Sequence, residues 1–383
     1  MRRIALAAAT LLALSEISFG QTTRTVPAGP FLEQIKTNFT TWDRDKDGKL
    51  SFDEIELACA DPKVKGPTAA AAATMRNLAK LRGLTLAEYT AALTTLTAED
   101  RDNVNNYEAS FTAALKKLNG INRQIFPAGL PKGDQLAQGK LGDCFLLVGV
   151  GTMAQTQPER LKALIEPLPG DKFAVNFKDG KRIELPMPTD AEVIIGSSTR
   201  GDGVWGNAFE KAIGQRYLDR QLPEKRAVTP YAYIGKGGQP NVPVAMMTGK
   251  KLKREGCEMF QKGTLDAAGQ AKRLDEIRDA LENAFKDGRL VIGGTAPLSG
   301  PQAKVRGLYY NHSYGVLNYD RKTDVVTFWN PMSNAFTPKG TPGLENGYKT
   351  SYGRFDCPLK EAVMWFGSFS IEQNENVAEI GQK

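Results

Sequence analysis

One cysteine of this chain stands where a nucleophile would. In QGKLGDCFLL, Gln138 to Leu147, Cys144 follows a glycine turn and opens an apolar run. A thiol at a helix start feels the positive end of the backbone dipole and unpaired N–H groups, which favour the thiolate. Those N–H groups, with the amide of Gln138 upstream, can hold a developing oxyanion. Such a thiol needs a base, and the chain has a single histidine, His312, in NHSYGVLNYD. Asn330 follows in VVTFWNP. Cysteine, histidine and asparagine in that order are the parts of a thiol hydrolase.

A second stretch has metal chemistry. DRDKDGKLSFDE, Asp43 to Glu54, matches the EF-hand loop position by position. Asp43, Asp45 and Asp47 take the first, third and fifth places, and Gly48 the sixth, where the backbone turns sharply. Lys49 offers its carbonyl at the seventh, Leu50 is the apolar eighth, Ser51 acts through water, and Glu54 ends the loop as a bidentate ligand. Three aspartates and a glutamate so close repel one another without a cation, and Ca2+ is the expected one. Leu84 and Glu88 repeat the end of the loop. The earlier positions there, Asn77, Ala79 and Leu81, offer no carboxylate, so a second, non-binding loop is expected.

The motifs QGKLGDC, WGNAFEKA from Trp205, NHSY and WNP together resemble the catalytic core of calpain-type cysteine proteases, over roughly residues 120–372. The resemblance implies a papain-like fold of two lobes that hydrolyses peptide bonds in a protein or peptide substrate. Cys144 would be the nucleophile, His312 the base, Asn330 the orienting residue and Gln138 the oxyanion donor. Two positions depart from the family pattern. The tryptophan that usually follows the nucleophile is Phe145, and the one usually two residues after the asparagine is Met332, with Trp329 just before Asn330. Two other readings are compatible with the residues. One is a catalytically inactive, calcium-binding recognition module. The other is an acyl-transfer enzyme of related fold such as a transglutaminase, which usually has aspartate in place of Asn330.

The elements that must position these residues can be read from periodicity. Phe31, Ile35 and Phe39 predict the helix into the acidic loop, and Ile55 and Leu57 the helix out of it. Ala69 to Ala73 predict a helix capped by Thr68, and Thr97-Ala98-Glu99-Asp100 the cap of a helix reaching towards Leu118. FLLVGVGTMAQ reads as a buried helix behind Cys144, despite Gly149 and Gly151. Asp179-Gly180 between two β-rich runs predicts a hairpin. Val204 to Tyr217 and Leu274 to Phe285 are helical, with Trp205 a core anchor. Val291 to Thr295, His312 to Asp320 and Val325 to Trp329 are predicted strands, the last two a hairpin that brings Asn330 to His312. AVMWFGSFSI is the predicted closing strand.

The expected fold class is α+β: a two-lobed protease core at 120–373 behind a small all-α EF-hand-like domain at 31–119. Residues 1–20 read as a secretory signal peptide, with Arg2 and Arg3 before a short apolar run, so a secreted or periplasmic protein is expected. Residues 21–30 are a linker and 374–383 a loose tail. Among 383 residues, 41% are hydrophobic and 24% charged, which excludes bulk disorder. The net charge of +7 is scattered rather than striped, so no nucleic-acid partner is expected, nor stable membrane insertion. With Cys144 free, Cys59, Cys257 and Cys357 cannot all pair. A Cys257–Cys357 disulfide and three small buried hydrophobes remain open alternatives.

Overall fold

A computed structural model describes residues 24–25, 27–78, 81–96, 107–295 and 304–377. The proposed signal peptide, the cap at residues 97–100, Ala79 and the end of the tail lie outside the described residues. The chain is a mixed α+β protein in which every strand pair among the described residues is antiparallel.

The first third is helical. Strand β1 (Arg24–Thr25) pairs with β2 (Thr95–Leu96) and closes the segment between them. Helices α1 (Pro30–Trp42), α2 (Phe52–Ala60), α3 (Gly66–Asn77), α4 (Leu86–Thr94) and α5 (Tyr107–Asn119) follow. α1 turns Phe31, Leu32, Ile35, Phe39 and Trp42 inwards, as its spacing predicts. In α3, Ala69 to Met75 are all wholly buried, because methyl side chains let neighbouring helices approach closely. The capping expectation for α3 fails. The helix starts at Gly66 with Pro67 in its first turn, where a fixed φ and a missing N–H cost nothing. Thr68 instead donates its hydroxyl to Gln34 Oε1, 2.9 Å away.

Helix α6 (Cys144–Thr156) carries the cysteine, and its residues Phe145 to Ala154 are buried. Its glycines are what the packing requires. A Cβ at Gly149 would press on Val244 and Met247, and one at Gly151 would strike the ring of Trp329. A three-stranded sheet, β3 (Ile165–Leu168), β4 (Lys172–Asn176) and β5 (Arg182–Pro186), contains the predicted hairpin. Helix α7 (Asp190–Ile195) packs on α2, α3 and α5, while α8 (Trp205–Leu218) packs on α6 and on α9 (Pro230–Ile234). Trp205 is wholly buried and donates to Asp202 Oδ2 at 3.2 Å, so it is a core anchor.

The rest is a six-stranded sheet in the order β10-β9-β8-β7-β11-β6. Its members are β6 (Lys250–Gly256), β7 (Val291–Thr295), β8 (Ser313–Asp320), β9 (Val325–Trp329), β10 (Arg354–Pro358) and β11 (Phe366–Asn376). Helix α10 (Ala267–Lys286) covers one face, with Ile277 and Leu281 inward. Alternate strand residues divide between two cores. Val291 and Phe328 join the α10 side, while Ile292 and Trp329 face α6. The predicted closing strand is shorter at its start: Leu359–Ala362 is a helical turn, and β11 begins only at Phe366. The α6 core is continuous with that of the N-terminal helices, from Phe31 to Trp329. No described helix is long and apolar enough to cross a membrane.

Candidate active site and metal loop

The turn before Cys144 is held from two sides. Ala137 pairs with Ser198 by backbone bonds of 2.7 and 2.8 Å, and the Lys140 N–H donates to Ile195 O at 2.9 Å. The Gln138 N–H donates to Pro331 O at 2.8 Å, which joins the turn to the end of β9. Only glycine fits at 139, since a Cβ there would collide with the carbonyls of Ile195 and Gly196. The chain then enters α6, and the half-buried Cys144 is its first residue.

The sheet brings the second half of the site. His312 immediately precedes β8 and Asn330 immediately follows β9, so their antiparallel pairing closes the sequence gap between them. His312 Nε2 and Asn330 Oδ1 lie 2.8 Å apart, which leaves Nδ1 as the ring nitrogen not engaged by the amide. Asn330 is itself fixed. Oδ1 also accepts the Met332 N–H at 2.9 Å, and Nδ2 donates to Asn334 Oδ1 at 2.9 Å. The edge of the imidazole meets the Tyr314 ring at 5.2 Å, and Tyr309 tilts against it at 5.8 Å. Tyr309, Tyr314 and Asn334 surround the pair, and nothing in the sequence singled them out beyond their nearness to it.

Helix α6 lies against β8, whose first residue, Ser313, is next to His312. Burial pushes the thiol above its ordinary value, and the neighbouring Asp143 charge adds to that, while the Ser313, Phe145 and Cys144 N–H groups oppose it. Burial pushes His312 below its ordinary value, and the bond to Asn330 partly offsets this. The resting site thus favours a neutral thiol and a neutral imidazole, with a proton to be moved rather than a standing ion pair. Among the described residues no hydrogen bond joins sulfur to imidazole. Gln138 faces inward on its own turn, with Nε2 donating to Leu141 O at 2.6 Å and Oε1 buried without a partner.

The two departures from the family pattern have different settings. Phe145 is a core residue against Gly238 and Tyr217. Met332 is 40% exposed, and the Trp329 indole is buried against Gly151 and Gly315. No protein-family model matches the chain. No curated protein matches it either. The chemistry therefore rests on the residues themselves.

At the acidic loop, carboxylate oxygens of Asp43, Asp45 and Asp47 lie within 4.8 Å of one another. This cluster can coordinate a metal ion. Asp43 is buried. Its Oδ2 accepts the Gly48 N–H at 3.0 Å, while Oδ1 is buried with no partner, an orphaned acceptor that suits a cation. Gly48 has φ +81°, the left-handed turn its place requires. Glu54 is turned to the backbone: Oε1 accepts from Arg44 at 2.7 Å, and Oε2 from the Ser51 N–H and hydroxyl at 2.9 Å each. Burial raises its affinity for protons, but these bonds outweigh it and hold the carboxyl below its usual value. Leu50 and Leu84 pair as an antiparallel bridge, and Thr85 with Glu88 repeats the capping box of Ser51 with Glu54.

All four cysteines are free. Cys59, Cys257 and Cys357 are buried, with Cys257 and Cys357 each pushed up to about 12 by burial, so they are the small hydrophobes of the two alternatives. An open groove of about 1390 Å³ lies elsewhere, lined by Arg123, Phe126, Ile165 and Met187 among others, and none of Cys144, His312, Asn330 or Gln138 borders it.

Proposed function

We propose that this protein is a calpain-type cysteine endopeptidase of papain-like fold, with an N-terminal EF-hand-like unit that holds Ca2+. The observation that carries the reading is the 2.8 Å contact between His312 Nε2 and Asn330 Oδ1, with the helix that Cys144 opens packed on the strand that follows His312. Three unrelated segments supply the three residue types a thiol hydrolase needs.

In this reading Nδ1 of His312 takes the proton of Cys144 as sulfur attacks a peptide carbonyl. The oxyanion receives the Cys144 N–H and, after release from Leu141 O, the Gln138 amide. A single such donor contributes about 3–4 kcal/mol to lowering the barrier. The imidazolium gives its proton to the leaving amine, and water hydrolyses the thioester, with His312 again as base. Asn330 holds the ring throughout.

Asp43, Asp45, Asp47, the Lys49 carbonyl and Glu54 would hold the ion, Glu54 exchanging its backbone bonds for it. The ion would neutralise a loop that otherwise stores like charges, so its role is structural. Export to a calcium-rich compartment, read from residues 1–20, agrees with a site of this kind. The inward Gln138 amide favours a second reading, an inactive recognition module of the same fold. Incubation of the purified chain with casein, beside Cys144→Ala, separates the two. Cleavage by the parent alone supports the peptidase, and equal behaviour of both rejects it.

A further inference from the structure

Two carboxyl groups behind the thiol have no part in that mechanism. Asp143 ends the turn that leads into Cys144, and Glu210 projects from α8; both are wholly buried. Asp143 Oδ1 and Oδ2 find no donor in the structure, and the side chain they face is the Glu210 carboxyl. Two carboxylates are acceptors only, so their contact becomes a hydrogen bond only when one carries a proton. Glu210 is anchored independently. Oε1 accepts the Ser197 N–H at 2.8 Å, and Oε2 accepts from Asn207 Nδ2 at 3.1 Å and from the Tyr231 hydroxyl at 3.4 Å. Ser197 belongs to the same segment that pins Ala137 and Lys140.

We propose that Asp143 and Glu210 share one proton, and that this acid pair positions the turn bearing Gln138 and Cys144. They are positioning residues, acting through the turn and touching no substrate. The proposal deepens the peptidase reading and rests on it for its consequence.

Every neighbouring element supports a pair with one negative charge. Lys117 of α5 faces both carboxyls while donating to Ile194 O and Gly196 O at 2.8 Å each. The Arg76 charge of α3 also favours the Asp143 anion, Lys140 lies on the turn, and the Tyr231 hydroxyl of α9 donates to Glu210. Burial holds Asp143 up to about 6 and Glu210 far above its usual value, and Lys117 down to about 8. With one proton shared, Lys117 balances the remaining charge. When that proton leaves at alkaline pH, two anions repel in a buried space behind the sulfur.

The test uses the purified full chain with Glu210→Gln, Asp143→Asn, Glu210→Ala and Asp143→Ala. Iodoacetamide alkylation of Cys144 is followed against pH, beside casein cleavage. The alanine variants should lose about tenfold or more in both rates at neutral pH. Glu210→Gln and Asp143→Asn, which keep a donor facing an acceptor, should recover most of that loss and lack the alkaline fall of the parent. In the infrared, the parent at neutral pH should show a buried protonated carboxyl that is absent from Glu210→Gln. Alanine variants equal to the parent, or no protonated carboxyl in the parent, would overturn the pair. Normal pair behaviour in alkylation with no cleavage by any form would instead overturn the peptidase reading alone.

Discussion

Asn330→Ala tests whether the amide serves the imidazole. Asn330 is buried, and its Oδ1 receives the His312 ring at 2.8 Å and the Met332 N–H at 2.9 Å. Truncation removes that acceptor and leaves the ring in its aromatic surroundings. A hydrogen bond to a group that becomes charged contributes about 1.5–3 kcal/mol. Here the ring becomes charged as it takes the thiol proton, so the bond is felt in the transition state. The alkylation rate of Cys144 and kcat for casein should therefore fall about 10- to 150-fold. The pH profile gives an independent sign. Burial lowers His312 and the Asn330 bond raises it, so losing the bond lowers it further. The acid limb, where protonation removes the base, should move to lower pH in Asn330→Ala. It should move to higher pH in Asn330→Asp, which keeps an acceptor and adds a negative charge. General misfolding would reduce the amplitude without displacing the limb. Rates within about threefold of the parent, together with an unmoved limb, would refute the assignment of Asn330.

Arg76→Met should cost about 3 kcal/mol or more in urea unfolding, because it strands the buried Glu56 carboxylate that Arg76 meets at 2.6 Å. Burial raises Glu56 even with Arg76 present, so adding Glu56→Gln should return much of that loss; no recovery would show that the arginine acts by packing alone. Calcium at about a hundred times its Kd should stabilise the chain by about 2.7 kcal/mol, and Asp43→Asn or Glu54→Gln should remove the effect. Superimposable melting curves with and without calcium would contradict the metal assignment. Under native conditions one thiol should react with iodoacetamide, and Cys144→Ala should abolish labelling, since the other three cysteines are buried.

Much of this arrangement was legible in the sequence where one short stretch carried the information. The acidic loop declares itself because its ligand types, its glycine and Leu50 fall within twelve residues, and the Leu84 match follows from the same spacing. The meeting of His312 with Asn330 was legible because a hairpin between them has a predictable turn. Other features depend on partners far along the chain. No strand was expected at Lys250–Gly256, yet it is the edge strand of the large sheet, where lysines are tolerated and discourage further pairing. Phe145 and Trp329 sit in motif positions but are committed to packing, which only the closeness of Gly238 and Gly151 reveals. The inward amide of Gln138 and the contact of Asp143 with Glu210 depend on side-chain directions that no periodicity encodes.

The alanine helix α3 has a consequence for how the molecule can be processed. Its methyl groups have no solvent-facing side from Ala69 to Met75, and Arg76 at its end reaches the Tyr231 carbonyl of α9. Cutting the chain near residue 120 and discarding the front piece would strip α3 from α7 and sever the bonds of Thr189 to Cys59 O and of Thr229 to Glu56. Shedding it would therefore cost the remainder buried apolar cover and buried hydrogen bonds together.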